Sequence, residues 1–493
     1  MTSLPELVER IHAADPGPRT LAAFDYDGTL ITGYSAQAFY DHRIRRGEIG
    51  PVELARTLLA STRGIHEDED FDRFLELSLG AWKGRSEKEM LEFGTKLFRS
   101  NIASRLHSEV WRLVQAHQAM GHTVVLASSA TRFQVEPMAE ELGVDEVLCT
   151  PVEVDADGRL TGRVGGRALW GRGKADALVA CAERLDADLD RSFAYSNGRE
   201  DVPFLELAGF PAAVCPDDVL RRVAEDRGWP ILDAKPRGGR PGPVDVARTA
   251  GMWAGLATGL GAGIGLGLLR RSRKTLVDVS VAVGAEIALQ AAGIDVEVVE
   301  GEEHLWSSRP CVFLLNHQSQ IDVPVMMKLL RQDFTGVAKK EAKYVPIVGP
   351  MLMAAGVAFL DRGNTKQAKD ALAPAVRRIR EEGISLAIAP EGTRSPTPKL
   401  APFKKGAFHI AMQAEVPIVP IVLRNAGEVM WRSAQTVRPG TVQVAVLPPV
   451  DTSDWTAETL ADHVEEVRNM YLEKLAHWPG EPVPPSLTAG SAS

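Results

Sequence analysis

Short apolar runs that end in polar residues recur along the chain and predict buried strands, each followed by a loop. Residues 21–24, 123–127, 310–315 and 384–389 are runs of this kind. Runs so short and so uniformly apolar are typical of strands covered on both faces, and the charged, helix-patterned segments between them predict crossover helices. Strands that alternate with helices imply parallel sheets whose functional groups lie at the carboxyl ends of the strands.

A different pattern fills the middle of the chain. Residues 235–243, KPRGGRPGP, can form neither a helix nor a central strand and predict a domain boundary. Thr249–Leu269 then carries no charge, and its 21 residues would form a helix about 31 Å long, which matches the roughly 30 Å hydrocarbon core of a bilayer. We favour a membrane helix over a flexible linker here.

Glycine recurs at every fourth position of this uncharged stretch. The positions are Gly251, Gly255, Gly259, Gly263 and Gly267. Such spacing lays a close-packing stripe along one helix face. The stripe predicts a surface through which two copies of the chain could associate as a homo-oligomer.

A second apolar stretch, Thr275–Gly293, follows a basic cluster at residues 270–274. A single span would place the two halves of the chain on opposite sides of the membrane, and positive residues flank both ends of the first stretch, so loop charge does not choose an orientation. A helical hairpin that dips into one leaflet keeps both halves cytoplasmic and brings the basic cluster near anionic lipid headgroups. We therefore predict a membrane-associated hairpin over residues 249–293, with the catalytic domains on the cytoplasmic side.

The length of 493 residues exceeds a single ordinary domain, so two domains with connecting segments are expected. Residues 456–478 predict a surface helix near the end of the second domain. The predicted organisation is a first α/β domain at 1–234, a linker at 235–248, membrane-associated helices at 249–293, a second α/β domain at 294–479 and a disordered tail at 480–493.

Charge and cysteine usage narrow the partners and the compartment. The formal net charge is −9 with 25% charged residues, and no long basic run or basic patch interleaved with aromatic residues occurs, which argues against nucleic acid as a partner. The four cysteines lack the spacing of metal sites and predict reduced thiols in the cytosol. The first 20 residues lack an apolar core of signal-peptide length, so we do not expect the N-terminal domain to be exported.

The segment 316–322, NHQSQID, closes one of the apolar runs and is a candidate catalytic site. The run predicts a strand that delivers His317 to a loop, and Asp322 begins the next helix. On one continuous helix the two side chains would point apart, so a strand-to-helix corner is needed to bring Asp322 back to the imidazole. Such a pair suits deprotonation of an alcohol by His317, with Asp322 fixing its tautomer; the alternative is that His317 merely caps the helix.

Three further blocks follow in order, namely GVAFLDR at 356–362, APEGTRS at 389–395 and VPIVPI at 416–421. Together with the histidine block, over about residues 295–450, they resemble the glycerolipid acyltransferases that make phosphatidic acid from 1-acylglycerol 3-phosphate. The resemblance implies an α/β acyltransferase domain that transfers an acyl group from acyl-CoA or acyl carrier protein to lysophosphatidic acid. Glycerol 3-phosphate or another lysolipid is the alternative acceptor.

The same resemblance implies a set of substrate-binding residues. They are Lys340, Arg362, Glu391, Gly392, Thr393 and Arg394. Arg362, Arg394 and Lys340 would hold the acceptor's phosphate, because an arginine fork and a lysine point charge suit a dianion. Gly392 would let the backbone approach the substrate, and we expect Glu391 to hold Arg394 or an acceptor hydroxyl.

Two carboxylates, Asp25 and Asp27, follow the first apolar run. Residues two apart in a strand share one face, so we expect both carboxylates at the same strand end. Bringing two negative groups together is costly unless a cation lies between them. The pair therefore predicts a Mg²⁺-dependent phosphoryl site with Asp25 as nucleophile and Asp27 as acid. An acidic turn after a strand is the alternative.

Ser128 after the second run, Lys174 at a predicted helix start and the segment 194–201, AYSNGRED, extend this series. The series resembles the phosphoserine phosphatase branch of the haloacid dehalogenase superfamily, which implies a doubly wound parallel sheet with a helical cap at about 31–122. By that resemblance Ser128 and Lys174 hold the phosphoryl oxygens. The implied Mg²⁺ ligands are Asp25, Asp27, Asn197 and Asp201.

One position departs from that family pattern. Relatives carry a metal-ligating aspartate where this chain has Asn197. An amide oxygen can coordinate Mg²⁺, but the loss of a full negative charge should weaken binding. Two interpretations of the domain therefore stay open, a phosphomonoester hydrolase and a structural or regulatory module that has kept the fold.

Overall fold

The computed structural model describes residues 2–50, 68–235, 241–345, 348–360, 365–432 and 434–480. The chain divides into two compact units, Met1–Gly238 and Gly239–Gly480. The division falls within the predicted linker 235–248, but that linker was drawn too long, because a helix begins at Pro243. Proline suits a first helical position, and Asp245 accepts a hydrogen bond from the Gly242 N–H at 3.2 Å. The tail predicted at 480–493 lies, beyond its first residue, outside the described residues.

The N-terminal unit is built on a parallel sheet. Its strands are β1 Leu21–Phe24, β2 Thr123–Thr131, β3 Glu146–Thr150, β4 Val152–Val154, β5 Leu160–Val164, β6 Phe193–Ser196, β7 Phe210–Val214 and β8 Ile231–Leu232. Six strands pair in parallel in the order β3-β2-β1-β6-β7-β8, while β4 and β5 form a separate antiparallel pair.

Helices cover both faces of this sheet. They are α1 Leu4–His12, α2 Ser35–Arg45, α3 Asp68–Gly80, α4 Glu87–Leu97, α5 Ser108–Ala119, α6 Arg132–Leu142, α7 Arg172–Leu185, α8 Val202–Leu205 and α9 Asp218–Arg227. Along β1, Ala22 and Phe24 join the apolar cluster that contains α1 and α5, whereas Leu21 and Ala23 join the cluster that contains α7, α8 and α9. The predicted doubly wound architecture is confirmed.

The helical cap predicted at about 31–122 ends earlier than expected. Its last helix, α5, packs on the sheet itself, since the His117 ring centroid lies 5.9 Å from that of Phe24 and His117 Nε2 lies 2.9 Å from the Tyr195 hydroxyl. The inserted helices among the described residues are therefore α2, α3 and α4, followed by a π-helical turn at Phe98–Ile102. A helix on the sheet and a helix in a cap have similar amphipathic sequences, so the pattern alone could not separate them.

The C-terminal unit contains a seven-stranded mixed sheet. Its strands are β9 Ile294–Glu300, β10 Val312–Leu315, β11 Phe334–Lys339, β12 Ala358–Leu360, β13 Ser385–Ile388, β14 Ile418–Leu423 and β15 Gly440–Val446. The order is β12-β11-β13-β10-β14-β15-β9, with β14 and β15 antiparallel and the other pairs parallel. The predicted α/β class of this half is confirmed, and β10, which delivers the candidate histidine, lies at its centre.

Nine helices of this unit lie in its described part. They are α10 Pro243–Arg270, α11 Arg273–Ala292, α12 His304–Ser307, α13 Asp322–Leu330, α14 Val348–Ala354, α15 Thr365–Glu382, α16 Gly406–Ala414, α17 Ala426–Val429 and α18 Leu460–Ala476. The segment predicted as a surface helix is α18, but one face of it is core. Tyr471 is fully buried, and its hydroxyl donates to the Leu314 carbonyl in β10 at 2.5 Å.

The helices α10 and α11 pack against each other as the hairpin predicted over residues 249–293, and both are long and apolar enough to cross a membrane. The glycine stripe faces inward. A Cβ added at Gly259 would lie 2.2 Å from the Cα of Gly284, and one at Gly263 would lie 2.4 Å from the Leu276 carbonyl oxygen. The stripe thus packs against α11 of the same chain. It is therefore not available as the predicted contact surface of a homo-oligomer.

Candidate active sites

The strand end that precedes the candidate histidine is held by a side chain. Asn316 is buried, its amide donates to the Leu423 carbonyl, and its oxygen accepts from the Leu423 N–H, each at 2.7 Å. It therefore pairs with β14 as one more backbone peptide would. This contact, with that of Tyr471 to Leu314, fixes where the chain leaves β10.

The structure brings His317 and Asp322 together at a strand-to-helix corner. His317 Nδ1 lies 2.7 Å from Asp322 Oδ2, and the same oxygen accepts from the Gln318 and Ser319 N–H groups at 2.9 Å each. Because a carboxylate only accepts, Nδ1 carries the proton and Nε2 keeps its lone pair. Asp322 is buried and His317 is partly exposed. The imidazole can thus meet a substrate while its orienting carboxylate is shielded from water.

Glu391 lies behind His317 instead of beside Arg394. One carboxylate oxygen accepts from the His317 N–H at 2.6 Å and the other from the Ala401 N–H at 3.1 Å. Glu391 thus holds two backbone N–H groups in place of the expected contact with Arg394, whereas its contact with an acceptor hydroxyl stays a prediction. Burial raises the pKa of Glu391 to about 7. The hydrogen bond from the His317 N–H to Glu391 ties the loop after β13 to the residue that carries the candidate base.

The cationic residues assigned to the acceptor's phosphate are in different situations. Arg394 is half-buried, and its Nη1 donates to the Arg432 carbonyl at 3.1 Å. Lys340 is exposed at the start of a 3-10 turn that follows β11. Arg362 lies outside the described residues. Arg394 is thus anchored near the loop that contains Glu391, whereas Lys340 stands on the surface.

The absence of a side chain at Gly392 permits another group to come close, as predicted. The group that does so in the structure is the side chain of Lys404. The φ of Gly392 is +71°, and a Cβ there would lie 2.7 Å from Lys404 Nζ. Lys404 is itself positioned by its backbone N–H, which donates to the Pro390 carbonyl at 2.9 Å. The neighbouring Thr393 is exposed. Lys404 went unassigned in the sequence, since one of two adjacent lysines on a loop carries no distinguishing signal.

In the N-terminal unit, Lys174 joins two carboxylates at the end of the sheet. Its Nζ lies 2.8 Å from Asp25 Oδ1 and 2.5 Å from Asp201 Oδ2, which also accepts from the Ser196 hydroxyl at 2.6 Å. Burial raises the pKa of Asp25; the pKa of Lys174, which burial lowers, is raised overall by Asp201 and Asp25. Lys174 was expected on phosphoryl oxygens; here it neutralises the nucleophile candidate.

The carboxylate of Asp27 is held by Ser35, a residue that the sequence pattern did not indicate. Both aspartates follow β1 instead of lying in it, so a shared strand face is not what unites them. The Asp27 carboxylate accepts from the Ser35 N–H at 2.7 Å and from the Ser35 hydroxyl at 3.0 Å. Burial raises the pKa of Asp27 to about 7. A carboxyl with such a pKa carries a proton part of the time at neutral pH, as a general acid must.

Ser128 lies in β2, the neighbour of β1. It is buried, and its hydroxyl accepts from the Ala130 N–H at 3.1 Å. The strand thus delivers the hydroxyl to the sheet as predicted, while its role toward a phosphoryl group stays a prediction.

Four oxygen atoms are candidate donors to a Mg²⁺ ion in this unit. One terminal atom of the Asn197 amide lies 3.1 Å from Asp25 Oδ2 and 3.0 Å from the Asp27 carbonyl oxygen. With the amide oxygen there, three oxygens converge as ligands of Mg²⁺ do. In the described part of the chain Asp201 Oδ1 is buried without a hydrogen-bond partner. Asp27 would thus offer its carbonyl instead of its predicted carboxylate.

An amide and a carbonyl among these donors explain a second observation. Across the described ranges, no group of three or more His, Cys, Asp or Glu side chains is arranged to hold a metal ion. The candidate ligand set contains only two carboxylates, those of Asp25 and Asp201, because its other two oxygens belong to an amide and a backbone carbonyl.

Comparison with known proteins gives two family matches. The family described as haloacid dehalogenase-like hydrolase matches residues 22–206, and the family described as Acyltransferase matches residues 297–424. A Streptomyces azureus relative, "Inhibition of morphological differentiation protein", is 35% identical over 219 residues, which are 44% of this chain and 79% of that protein. The chain carries a haloacid dehalogenase-like hydrolase domain followed by an acyltransferase domain.

The acyltransferase domain has named relatives of its own. A 1-acyl-sn-glycerol-3-phosphate acyltransferase of Limnanthes alba is 38% identical over 184 residues, 37% of this chain, and the chain spans 64% of that relative's length. The solved 1-acyl-sn-glycerophosphate (LPA) acyltransferase of Thermotoga maritima is 26% identical with a TM-score of 0.41, and the match covers 48% of this chain and 97% of that one.

Proposed function

We propose that the acyltransferase domain transfers an acyl group from acyl-CoA or acyl carrier protein to 1-acylglycerol 3-phosphate and forms phosphatidic acid. The observation that carries this proposal is the contact between His317 Nδ1 and Asp322, which leaves Nε2 of the partly exposed imidazole to act as the base. His317 takes the proton of the glycerol hydroxyl as its oxygen bonds to the acyl carbon. The carbon–sulfur bond breaks, and the proton passes to the departing thiolate. Asp322 stabilises the imidazolium in between.

The acceptor follows from chemistry and from the names of the relatives. Arg394, Arg362 and Lys340 would bind its phosphate, and Gly392 and Thr393 would line its approach. The named plant relative acts, by its name, on 1-acylglycerol 3-phosphate. Glycerol 3-phosphate and other lysolipids are the competing acceptors.

Detergent-purified full-length protein, given acyl-CoA and lysophosphatidic acid, should form phosphatidic acid. His317→Ala and Asp322→Asn should each lower kcat by about 10²–10⁴-fold, the usual share of acid–base catalysis. His477 directly follows the last helix, α18, and His477→Ala serves as the matched control that should keep full activity. Product formation by His317→Ala at the wild-type rate would refute the assignment, and a parallel panel with glycerol 3-phosphate and other lysolipids identifies the acceptor.

We further propose that the α10–α11 hairpin attaches the chain to the cytoplasmic face of a membrane. At the turn of the hairpin Leu268 and Leu269 are 72% and 79% exposed, beside basic residues 270–274. Near its base Met252 and Leu256 belong to the domain core. Leu268→Asp combined with Leu269→Asp should move the protein from the membrane to the soluble fraction, and unchanged fractionation would contradict the proposal.

For the N-terminal domain we propose Mg²⁺-dependent hydrolysis of a small phosphomonoester. Asp25 would attack phosphorus while Asp27 protonates the leaving oxygen, and water would then release phosphate from Asp25. Bound Mg²⁺, held by Asp25, Asn197, Asp201 and the Asp27 carbonyl, would offset the negative charge of the phosphoryl group. The burial of Asp25 and Asp201 around Lys174 at the end of the sheet favours this proposal over a purely structural domain.

A panel of phosphomonoesters that includes phosphoserine tests this activity. Wild type should release phosphate with Mg²⁺ and not with EDTA, and Asp25→Asn should abolish release. Asp145 is not among the candidate site residues, and its carboxylate accepts a hydrogen bond from the Val124 N–H. Asp145→Asn is therefore a control for folding. If no substrate is hydrolysed by any variant, Asn197→Asp included, the structural or regulatory alternative holds.

A further inference from the structure

The Asn197 amide lies at the point where the candidate metal ligands meet. The terminal atom that faces the site is 3.1 Å from Asp25 Oδ2, 3.0 Å from the Asp27 carbonyl oxygen and 3.1 Å from the Thr29 hydroxyl. Asp25 Oδ2 is already the acceptor of the Thr29 hydroxyl at 3.0 Å. A carboxylate and a carbonyl supply no hydrogen, so an oxygen at this point would face two oxygens with nothing between them unless a cation were bound.

The opposite orientation of the amide removes that conflict. With nitrogen at the same point, its two hydrogens can be donated to Asp25 Oδ2 and the Asp27 carbonyl. The two orientations differ by a half-turn of the amide and keep its outline. The site can therefore be satisfied in two ways, with a cation and the amide oxygen, or with the amide nitrogen alone.

We propose that Asn197 is a built-in competitor of Mg²⁺, whose amide nitrogen takes the cation's place when the site is empty and whose oxygen binds the cation when it is present. This switch rests on the metal site of the proposed phosphohydrolase but operates whether or not a substrate is turned over. An aspartate at this position could not do the same, because a carboxylate has no hydrogen to donate and would repel Asp25 in the empty site.

Two features of the surroundings favour the switch. Gly28 has a φ of +85°, and a Cβ there would come within 2.2 Å of the Asn197 side-chain nitrogen, so the amide packs directly on this glycine. Lys174 holds one oxygen of Asp25 and one of Asp201 through contacts that do not involve the amide. The frame of the site thus stays constant while the amide turns, and the metal-free state keeps its charges compensated.

The experiment compares metal binding and thermal stability in the detergent-purified full chain. Wild type should bind Mg²⁺ about tenfold or more weakly than Asn197→Asp in calorimetric titration, since ligand charge sets affinity. In EDTA, Asn197→Asp should unfold about 3 °C or more below wild type, and Mg²⁺ should restore it, whereas wild-type Tm should hardly respond. Asn101→Asp, which makes the same change outside the site, should alter neither quantity.

Asn197→Ala keeps the proposal falsifiable if the aspartate variant does not fold in EDTA. It removes the amide nitrogen that satisfies the empty site together with the amide oxygen that would bind the cation, so it should lower Tm in EDTA, and Mg²⁺ should not restore it fully. Equal Tm of wild type and Asn197→Ala in EDTA, or equal Mg²⁺ affinity of wild type and Asn197→Asp, would overturn the switch. None of these readouts requires phosphatase activity, so loss of the proposed function would leave them interpretable.

Discussion

At the scale of single residues, the N-terminal unit contains a buried hydrogen-bonded series in which every proton can be assigned. His122 Nε2 lies 3.0 Å from the Asp15 carbonyl, which only accepts, so this nitrogen carries the hydrogen. The Nδ1 of neutral His122 then accepts from His117 Nδ1 at 2.8 Å, and His117 Nε2 accepts from the Tyr195 hydroxyl at 2.9 Å. The series is consistent only while both imidazoles are neutral.

Burial lowers the pKa of both His117 and His122, and this has a consequence for stability. The unfolded chain binds protons on these rings below a pH of about 6.5, while the folded chain binds them only at a lower pH. Their contribution is therefore complete above that pH and is lost as pH falls, by up to about 1.4 kcal/mol per pH unit for each ring. His122→Asn keeps an acceptor for His117 without a titrating group, so it should show a shallower dependence on pH.

Chemical denaturation of the protein between pH 5 and 8 checks this expectation, with His477→Asn as a control outside the series. The unfolding free energy of the N-terminal unit should fall more steeply with decreasing pH in wild type than in His122→Asn. Identical slopes would show that the two rings are not held neutral.

Also at this scale, some contacts were visible in the sequence and others were not. The proximity of His317 and Asp322 could be predicted, because a strand end and a helix start bracket them. The contact of Glu391 with the His317 N–H could not, since backbone donors leave no trace in a pattern of side chains. Ser35 was missed in the same way: its hold on Asp27 depends on how the chain turns after β1.

At the scale of secondary-structure elements, the glycine stripe illustrates what a sequence period can and cannot specify. The four-residue spacing correctly predicted a helix face made for close approach. It could not identify the partner, because a second copy and the next helix of the same chain satisfy the same spacing. Gly284 and Leu276 on α11 supply that partner.

The same helix offers a matched pair of glycines for a test. A Cβ at Gly259 would collide with the backbone of Gly284, whereas one at Gly261 would meet nothing within 4 Å. Gly259→Ala should push the helices apart and lower Tm, while Gly261→Ala should raise helix stability by up to about 1 kcal/mol, since alanine favours helix over glycine. Thermal unfolding in detergent measures both.

The contrast between the two variants matters more than either value. If Gly259→Ala is as stable as Gly261→Ala, the stripe does not pack against α11. If Gly259→Ala changes the oligomeric state, as measured by light scattering, the stripe forms a contact between two copies of the chain, as the sequence predicted.

At the scale of the whole molecule, the first and last segments of each unit are joined by hydrogen bonds within that unit. In the first unit the Thr2 N–H donates to the Ile231 carbonyl, which ties the start of the chain to its last strand, β8. In the second unit β9, directly after the hairpin, pairs with β15, and the Val437 N–H donates to the Thr249 hydroxyl. The domain boundary could be read from the Pro- and Gly-rich run, but its exact end could not, because Pro243 serves as well to start a helix as to end a linker.

Such contacts within each unit predict that the halves are separable. Residues 1–235 and 241–480, produced as separate polypeptides, should each fold, with acylation confined to the second and Mg²⁺-dependent phosphate release to the first. Cooperative thermal unfolding and the two assays measure this, and an equimolar mixture of the halves is the control. If residues 241–480 fail to acylate while the mixture or the intact chain does, the second unit depends on the first.

The amide at position 197 also has a chemical lifetime. Asn197 is followed by Gly198, and an asparagine before glycine loses ammonia most readily, because the glycine N–H can reach the side-chain carbonyl carbon with little hindrance. Water then opens the cyclic imide to a carboxylate, either as aspartate or as isoaspartate, and the aspartate form places the charged group of Asn197→Asp at that position. The hydrogen bonds of the closed site restrain the amide, so the reaction should proceed through local opening. Stored preparations would then drift toward a form that requires Mg²⁺ for stability, and the age of a sample, read from the mass of the peptide that contains residue 197, would predict its response to EDTA.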